Sequence, residues 1–381
     1  MHRWIFAVPA VAAALLGLLT VIKAPRWLDW RFAVVAGEFG HGVAAIPLAV
    51  AVCVWRRGDR SALSVATMAI AAAACLLLSK PAFEAWRLGR TLPARLAAAF
   101  GPERPSRPPF SPVRLFGPGP ASVPVQTMAY SDGLELDFFR AIGRSPAACV
   151  VVLHSGGWED GERGEFPGFD RWLARRGYAV ASIDYRLSPG AVWPAQRDDV
   201  LAAVAFLRSH AGSLGVDPAN LVLFGRSAGA QLAEATAYAA RDPGIRGVIA
   251  LYGPADMNFA YAYGREDDVL KSPRLLRQFL GGTPATARTA YDSASGILQV
   301  GNASPPTLLM HGELDPLVWH RQSERLDQKL ADAGVAHLFV SLPWATHAFE
   351  FNINGPGGQL TTFSIEWFLA AVTKTRRPGS L

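Results

Sequence analysis

Charge is scarce in this chain. Asp, Glu, Lys and Arg make up 18% of its 381 residues, against about a quarter in soluble proteins. The deficit lies mainly in the first eighty residues, which read as membrane rather than as a water-facing domain. Cysteine is scarcer still, with Cys53, Cys75 and Cys149 only. Their spacing fits neither a zinc site nor a disulfide framework, and they read as small buried apolar side chains. The net charge is +6, yet the arginines are scattered. There is no basic stripe interleaved with aromatics, no zinc-finger spacing and no RNA-binding signature, so nucleic acid is not expected as a partner. Lys and Arg lying beside anionic lipid account for the excess more simply. Internal repeats are absent. What is plentiful is apolar surface: half of the residues are hydrophobic, enough for a large core in one sizeable domain plus an extra element.

The extra element is N-terminal. Residues 4–22 and 62–78 are uncharged apolar runs, each near the length that crosses a bilayer as a helix. Residues 32–55 are also largely apolar but hold Glu38, His41 and three glycines. The pattern predicts three spans within residues 1–100, with two as the alternative. No small-residue cleavage site follows the first run, since Lys23, Pro25, Arg26 and Trp27 come next, so it is expected to stay as an anchor. Glu38 and His41 are expected to face a helix partner or the interface, a functional role being the rival reading. With three spans, Lys23, Arg26 and Arg31 share a side with Lys80, Arg87, Arg90 and Arg95, while Arg56, Arg57 and Arg60 lie opposite. The richer side should be cytoplasmic, and the rest of the chain with it. Two spans can reverse that answer. Residues 101–124 carry eight prolines. At that density proline blocks helix and favours extended chain, so a linker holding the next domain off the membrane is expected.

From residue 125 to about 375 the pattern alternates. Ser131-Asp132-Gly133 between 125–130 and 134–141 is a hairpin signal, and runs at 148–154, 179–184, 221–224, 247–251, 307–310 and 337–342 predict further strands. Helical spacing fills 169–176, 195–210, 228–240, 318–333 and 361–372. Strands alternating with helices give an α/β domain with a mostly parallel sheet covered on both faces. Chemistry in such a sheet sits just beyond the C-terminal ends of its strands.

Gly225-Arg226-Ser227-Ala228-Gly229 lies there, between a predicted strand and an alanine-rich helix. A strand-to-helix turn of this composition is a nucleophile elbow, presenting Ser227 at a helix N-terminus that favours negative charge. A serine hydroxyl needs a base to take its proton. His347 follows the last predicted strand, whereas His337 falls inside that strand and His320 on a helix. The base needs a carboxylate to hold its tautomer. Asp315 follows the strand at 307–310 and is preferred to its neighbour Glu313. A tetrahedral intermediate needs N–H donors. Gly156 and Gly157, after the strand at 148–154, together with the N–H of Ala228, are the candidates for that oxyanion hole.

Taken together these segments resemble the hormone-sensitive-lipase-like and feruloyl-esterase-like (BD-FAE-like) carboxylesterases of the α/β-hydrolase superfamily. The resemblance rests on His154-Ser155-Gly156-Gly157-Trp158, Asp184-Tyr185-Arg186-Leu187-Ser188-Pro189, Trp193-Pro194-Ala195-Gln196 with Asp199, the serine elbow, Leu280-Gly281-Gly282-Thr283-Pro284, and the loops of Asp315 and His347. It covers roughly residues 125–373. One departure is Ser155, where the family usually has glycine; its Cβ either narrows the pocket or adds a hydrogen bond. The resemblance implies an α/β-hydrolase fold, Arg186 and Asp199 as scaffold, and Phe259, Tyr261 and Tyr263 in a cap region where they line an acyl pocket or simply pack. It implies a membrane-anchored serine esterase acting on a small-molecule or lipid ester through a Ser227–His347–Asp315 triad, with no metal or organic cofactor. An acyltransferase using the same triad with a lipid alcohol, and a silent membrane scaffold, are the alternatives. Acyl length and oligomeric state are not legible.

Overall fold

Apolar residues at alternate positions on both faces of a strand demand cover on both sides, and the sheet that results is a buried one. The structure, a computed structural model, describes residues 4–103 and 105–373; the expected domain end at residue 375 lies outside them. The N-terminal helices are α1 (Trp4–Leu18), α2 (Trp27–Val43), α3 (Ala45–Arg56), α4 (Ala62–Gly89) and α5 (Leu92–Phe100). A 3-10 turn, Pro112–Phe116, lies in the proline-rich segment. Then come β1 (Gln126–Ser131), β2 (Leu134–Phe139), β3 (Ala147–Leu153), α6 (Pro167–Arg175), β4 (Ala179–Ile183), α7 (Ala195–Ser209), α8 (Ala211–Leu214), β5 (Val216–Arg226), α9 (Ala228–Ala240) and β6 (Ile245–Leu251). The chain closes with α10 (Met257–Tyr263), α11 (Ser272–Leu280), α12 (Arg288–Ala294), α13 (Gly296–Gln299), β7 (Thr307–Gly312), α14 (Arg321–Asp332), β8 (His337–Leu342) and α15 (Pro356–Val372).

The eight strands form one sheet in the order β1-β2-β4-β3-β5-β6-β7-β8. β1 and β2 pair antiparallel, as do β2 and β4; from β4 onward all neighbours are parallel. Strand alternation sorts the core into two layers. Cys149, Val151 and Leu153 of β3 face Val204, Leu207 and Leu232 of α7 and α9. Val150 and Val152 face the other way, toward Leu173 of α6 and Phe363 and Phe368 of α15. Ala85, Leu92 and Leu96 join that second layer, so the end of α4 and all of α5 belong to the covering of the sheet.

Two expectations change here. The middle apolar run is not one straight helix. It divides at Ala44, and α2 and α3 meet at a bend of 48°. The first half lies along the catalytic domain: Glu38 is buried and accepts hydrogen bonds from the N–H groups of Gly357 and Gly358 at the start of α15. A carboxylate at a helix N-terminus satisfies donors that the helix leaves free. Among the described residues α4 alone is long and apolar enough to cross a membrane by itself; α2 with α3 meets the test only as a bent pair, and α1 is a shorter apolar helix of 15 residues. The proline-rich segment, expected to stand the domain clear of the membrane, instead lies against α15. Trp367 donates to the Gly101 carbonyl, Ser111 N–H to Gln359, and Asn354 to the carbonyls of Gly117 and Pro118.

Candidate active site

The sharp turn after β5 exists because two glycines remove the atoms that would block it. A Cβ on Gly225 would stand 2.0 Å from the Gly229 carbonyl oxygen, and one on Gly229 would stand 2.2 Å from that of Leu153. The chain therefore passes from strand to helix with Ser227 held at φ 52°, ψ −118° as the N-cap of α9. That conformation is costly for a residue with a side chain and persists only where the surroundings enforce it. Here the Ser227 N–H is fixed to the Leu251 carbonyl (2.9 Å), and the Ser227 carbonyl accepts from Ala230 and Gln231. The Ser227 hydroxyl makes no hydrogen bond among the described residues and borders a cavity of about 290 Å³.

His347 and Asp315 arrive from the ends of β8 and β7. His347 Nδ1 lies 2.6 Å from Asp315 Oδ2. The second carboxylate oxygen accepts from the N–H groups of Leu317 (2.7 Å) and Val318 (3.0 Å). Burial alone would raise the Asp315 carboxyl. The His347 charge, with hydrogen bonds from His311 and His347, outweighs it and holds the group well below the usual carboxylate range. His311 was not singled out from the sequence. Its Nε2 faces two acceptors, Asp315 Oδ2 (3.2 Å) and the Val318 carbonyl (3.1 Å), so it carries the proton; Nδ1 then accepts from Ser323 (2.7 Å). The signal was present, since His311 lies near the end of β7, the strand that Asp315 follows, but it needs the loop to fold back. Glu313, the rival, points elsewhere and accepts from Ser341 at 2.7 Å.

The glycine turn after β3 is as tight as the elbow. Gly156 sits at φ 108°, and a Cβ there would meet the Asp160 carbonyl oxygen at 1.9 Å. Gly157 and Ala228 border the same cavity as Ser227, whereas Gly156, which precedes Gly157 in the turn, does not line it. Ser155 settles between its two expectations as a hydrogen bond: its hydroxyl and N–H both donate to Glu165. His154 stacks on Tyr185 at 4.0 Å. Arg186 pairs with Asp199 through its backbone N–H and its guanidinium, away from the cavity, as scaffold. In the cap, Phe259 and Tyr263 line the cavity, whereas Tyr261 packs edge-on to Tyr291. Trp319, stacked on Phe259, is a cavity residue the sequence did not reveal.

Beneath the elbow lies a buried charge pair. Arg226 Nε donates to Glu350 (2.9 Å), whose carboxylate also accepts from the Tyr252 hydroxyl. The guanidinium lies over Phe166, Phe169 and Phe224 at 4.4–4.9 Å, and the Tyr252 ring packs 4.2 Å from that of His347. From the other side, Trp30 of α2 donates to the His347 carbonyl (3.1 Å). The loop of His347 is thus held by the N-terminal helices as well as by the sheet. Among the described residues no group of three or more His, Cys, Asp or Glu is arranged to hold a metal ion.

This sheet, with its serine elbow and the carboxylate and imidazole beyond the next strand ends, defines an α/β-hydrolase. The BD-FAE family model matches residues 136–330, and the chain belongs to that family. Esterase LipQ of Mycobacterium tuberculosis is 32% identical over 56% of this chain, which spans about half (54%) of that relative's length. The probable carboxylic ester hydrolase LipM of the same organism is 26% identical over 92% of this chain and 88% of its own, so that likeness reaches into the N-terminal helices. Among solved structures, a truncated carbohydrate esterase from gut microbiota matches with a TM-score of 0.57 at 24% identity, over 68% of this chain and all of that one. Esterase LipW from Mycobacterium marinum matches at 0.55 and 23% identity, over 82% and 91%. At those identities the solved structures speak for the fold.

Proposed function

We propose that the chain is a membrane-anchored serine hydrolase that cleaves carboxylic esters through an acyl-enzyme. Ser227 Oγ attacks the ester carbonyl, and its proton passes to His347. Asp315 holds the imidazole through Nδ1, leaving Nε2 to work. The carbonyl electrons move onto oxygen, where the N–H groups of Gly156, Gly157 and Ala228 receive them. The C–O bond then breaks and His347 returns the proton to the departing alcohol. Water, deprotonated by His347, attacks the acyl carbon; the acid leaves and Ser227 regains its proton. The observation that carries this reading is the pairing of His347 with a buried, ionised Asp315 beside a cavity that the Ser227 hydroxyl borders. LipQ and LipM being ester hydrolases supports it.

The anchor is the N-terminal bundle. Residues 4–22, 44–55 and 62–79 contain no charged side chain, and Trp4, Ile5, Val8, Leu15, Leu48, Trp55 and Leu76 turn outward from it. Cations collar both ends. Arg57 lies over Phe6 at one end (4.4 Å), and Lys80 donates to the Thr20 carbonyl (3.2 Å) at the other, where the catalytic domain sits. Lys23, Arg26, Arg31, Arg87 and Arg90 join that second collar, which supports placing the catalytic domain on the cytoplasmic side.

The test is hydrolysis of p-nitrophenyl butyrate by detergent-solubilised protein beside its Ser227→Ala variant. Turnover and fluorophosphonate labelling are both expected to vanish in the variant while its melting curve is retained. Hydrolysis surviving the substitution overturns the assignment.

A further inference from the structure

The cavity that holds Ser227 is not built by the catalytic domain alone. Lys23, in the turn between α1 and α2, lines it together with Gly157, Ala228, Phe259, Leu275 and Trp319. Lys23 is also the residue that ends the apolar run 4–22. One side chain therefore belongs both to the collar that marks the headgroup level and to the wall of the catalytic cavity.

The surroundings of Lys23 match that position. Trp27 follows four residues later, half-exposed, and packs against Trp30 at 4.6 Å; Trp30 in turn holds the His347 carbonyl. Tyr263 and Trp319, both exposed, line the same cavity. Aromatic rings with a polar edge settle at the boundary between lipid tails and water. The deeper wall is apolar: Leu270, Leu275, Leu276 and Val318. Its charged groups are three. Asp315 is engaged by His347 and His311, and Asp268 accepts from the N–H groups of Arg265, Leu270 and Ser272. Lys23 forms no ion pair among the described residues; Glu313 and Glu324, on the adjoining groove, are taken up by Ser341 and His320.

Resting on the hydrolase reading, we propose that the cavity opens into the headgroup layer of the bilayer and that Lys23 binds the anionic group of a membrane-resident lipid ester, whose acyl chain enters the apolar wall. An ester carbonyl in a glycerolipid lies between headgroup and tail, and one cavity brings Ser227 together with a cation and an apolar wall. The cavity, about 290 Å³, is at the small end for a ligand site, so the remainder of a long chain stays in the lipid.

The experiment compares dihexanoyl phosphatidylglycerol with dihexanoylglycerol, first as monomers with the detergent-solubilised full chain, then both as long-chain lipids in phosphatidylcholine vesicles. Wild type, Lys23→Gln and Lys23→Arg are assayed for kcat and KM, with p-nitrophenyl butyrate alongside. The expected result is a KM roughly three- to fivefold lower for the anionic ester, the worth of one partly exposed charge contact. That preference should appear in both formats, be lost in Lys23→Gln and be restored in Lys23→Arg. A preference confined to vesicles, surviving Lys23→Gln and fading with salt, would assign it to the whole collar and overturn the subsite. Hydrolysis of butyrate and of both lipids without preference also overturns it, as does hydrolysis of butyrate and of neither lipid. No hydrolysis of any ester would instead sink the hydrolase reading itself.

Discussion

Replacing Glu350 by alanine should cost this protein far more stability than any surface change. The side chains of Arg226 and Glu350 are 1% and 0% exposed. Burial pushes the Glu350 carboxyl up, and the Arg226 charge and the Tyr252 hydroxyl oppose it. Removing the carboxylate leaves a guanidinium enclosed by three phenylalanines with no hydrogen-bonded counter-charge, beside an acidic neighbour, Asp170, whose own carboxyl burial pushes up. Breaking such a pair costs about 3–5 kcal/mol. The rings under Arg226 retain some attraction, about 0.5–2 kcal/mol for a cation on an aromatic face, so the lower end applies. For a domain of this size about 3 kcal/mol lowers Tm by roughly 6–12 °C. Tryptophan-fluorescence melts of the detergent-solubilised protein, at one fixed scan rate, measure it. The double variant Arg226→Met, Glu350→Leu should recover most of the loss, because two apolar side chains leave no buried charge behind. Tyr252 loses its acceptor in either variant, and its ring lies 4.2 Å from His347, so kcat should fall in both. A Glu350→Ala melt within 2 °C of wild type, or a double variant no better than the single, refutes the reasoning.

Asp315→Asn should lower kcat on p-nitrophenyl butyrate by about 10⁴, the effect of presenting the wrong imidazole tautomer; a loss under tenfold would mean that another group orients His347. Asp170 is buried and its carboxyl is pushed up to about 7, chiefly by desolvation. The folded chain therefore keeps a proton there that the unfolded chain releases near pH 4, so this residue costs stability as pH rises from about 4 to 7. Asp170→Asn removes that dependence: the variant should gain on wild type between pH 4.5 and pH 8 in parallel melts, and a constant difference across that range would contradict the assignment.

The central strands were legible because burial on both faces leaves near-continuous apolar runs, as in β3, β4 and β7, and the β1–β2 pair from the turn between them; all eight expected strands lie in the one sheet. The elbow was legible because its glycines answer a steric demand that no other residue meets, 2.0 Å at Gly225. Asp315 and His347 followed from their places after strand ends, and they meet at 2.6 Å. The supporting residues were not legible in the same way. His311, Tyr252 and Glu350 act through contacts made when separate loops fold onto one another, and no spacing encodes those. Trp30 is a further case: its indole reaches the His347 carbonyl across 317 positions, and locally it is only one more aromatic near a membrane run.

The N-terminal quarter shows where composition misleads. Proline removes a donor and blocks helix, but a proline-rich chain keeps its carbonyl acceptors. Those at Gly101, Gly117 and Pro118 are used by Trp367 and Asn354, so an extended segment became a strap along α15 rather than a spacer. Glu38 was expected to face a helix partner or the interface, and the partner is α15, the helix that follows the His347 loop, which it caps. Its cost of burial is partly offset by two N–H donors that would otherwise be unpaired. Both contacts tie the N-terminal helices to α15, and Trp30 ties them to the His347 loop as well. With the anchoring proposed above, the helices themselves would set the height of the cavity above the lipid, which is the condition a hydrolase needs if its substrate is to be reached without leaving the bilayer.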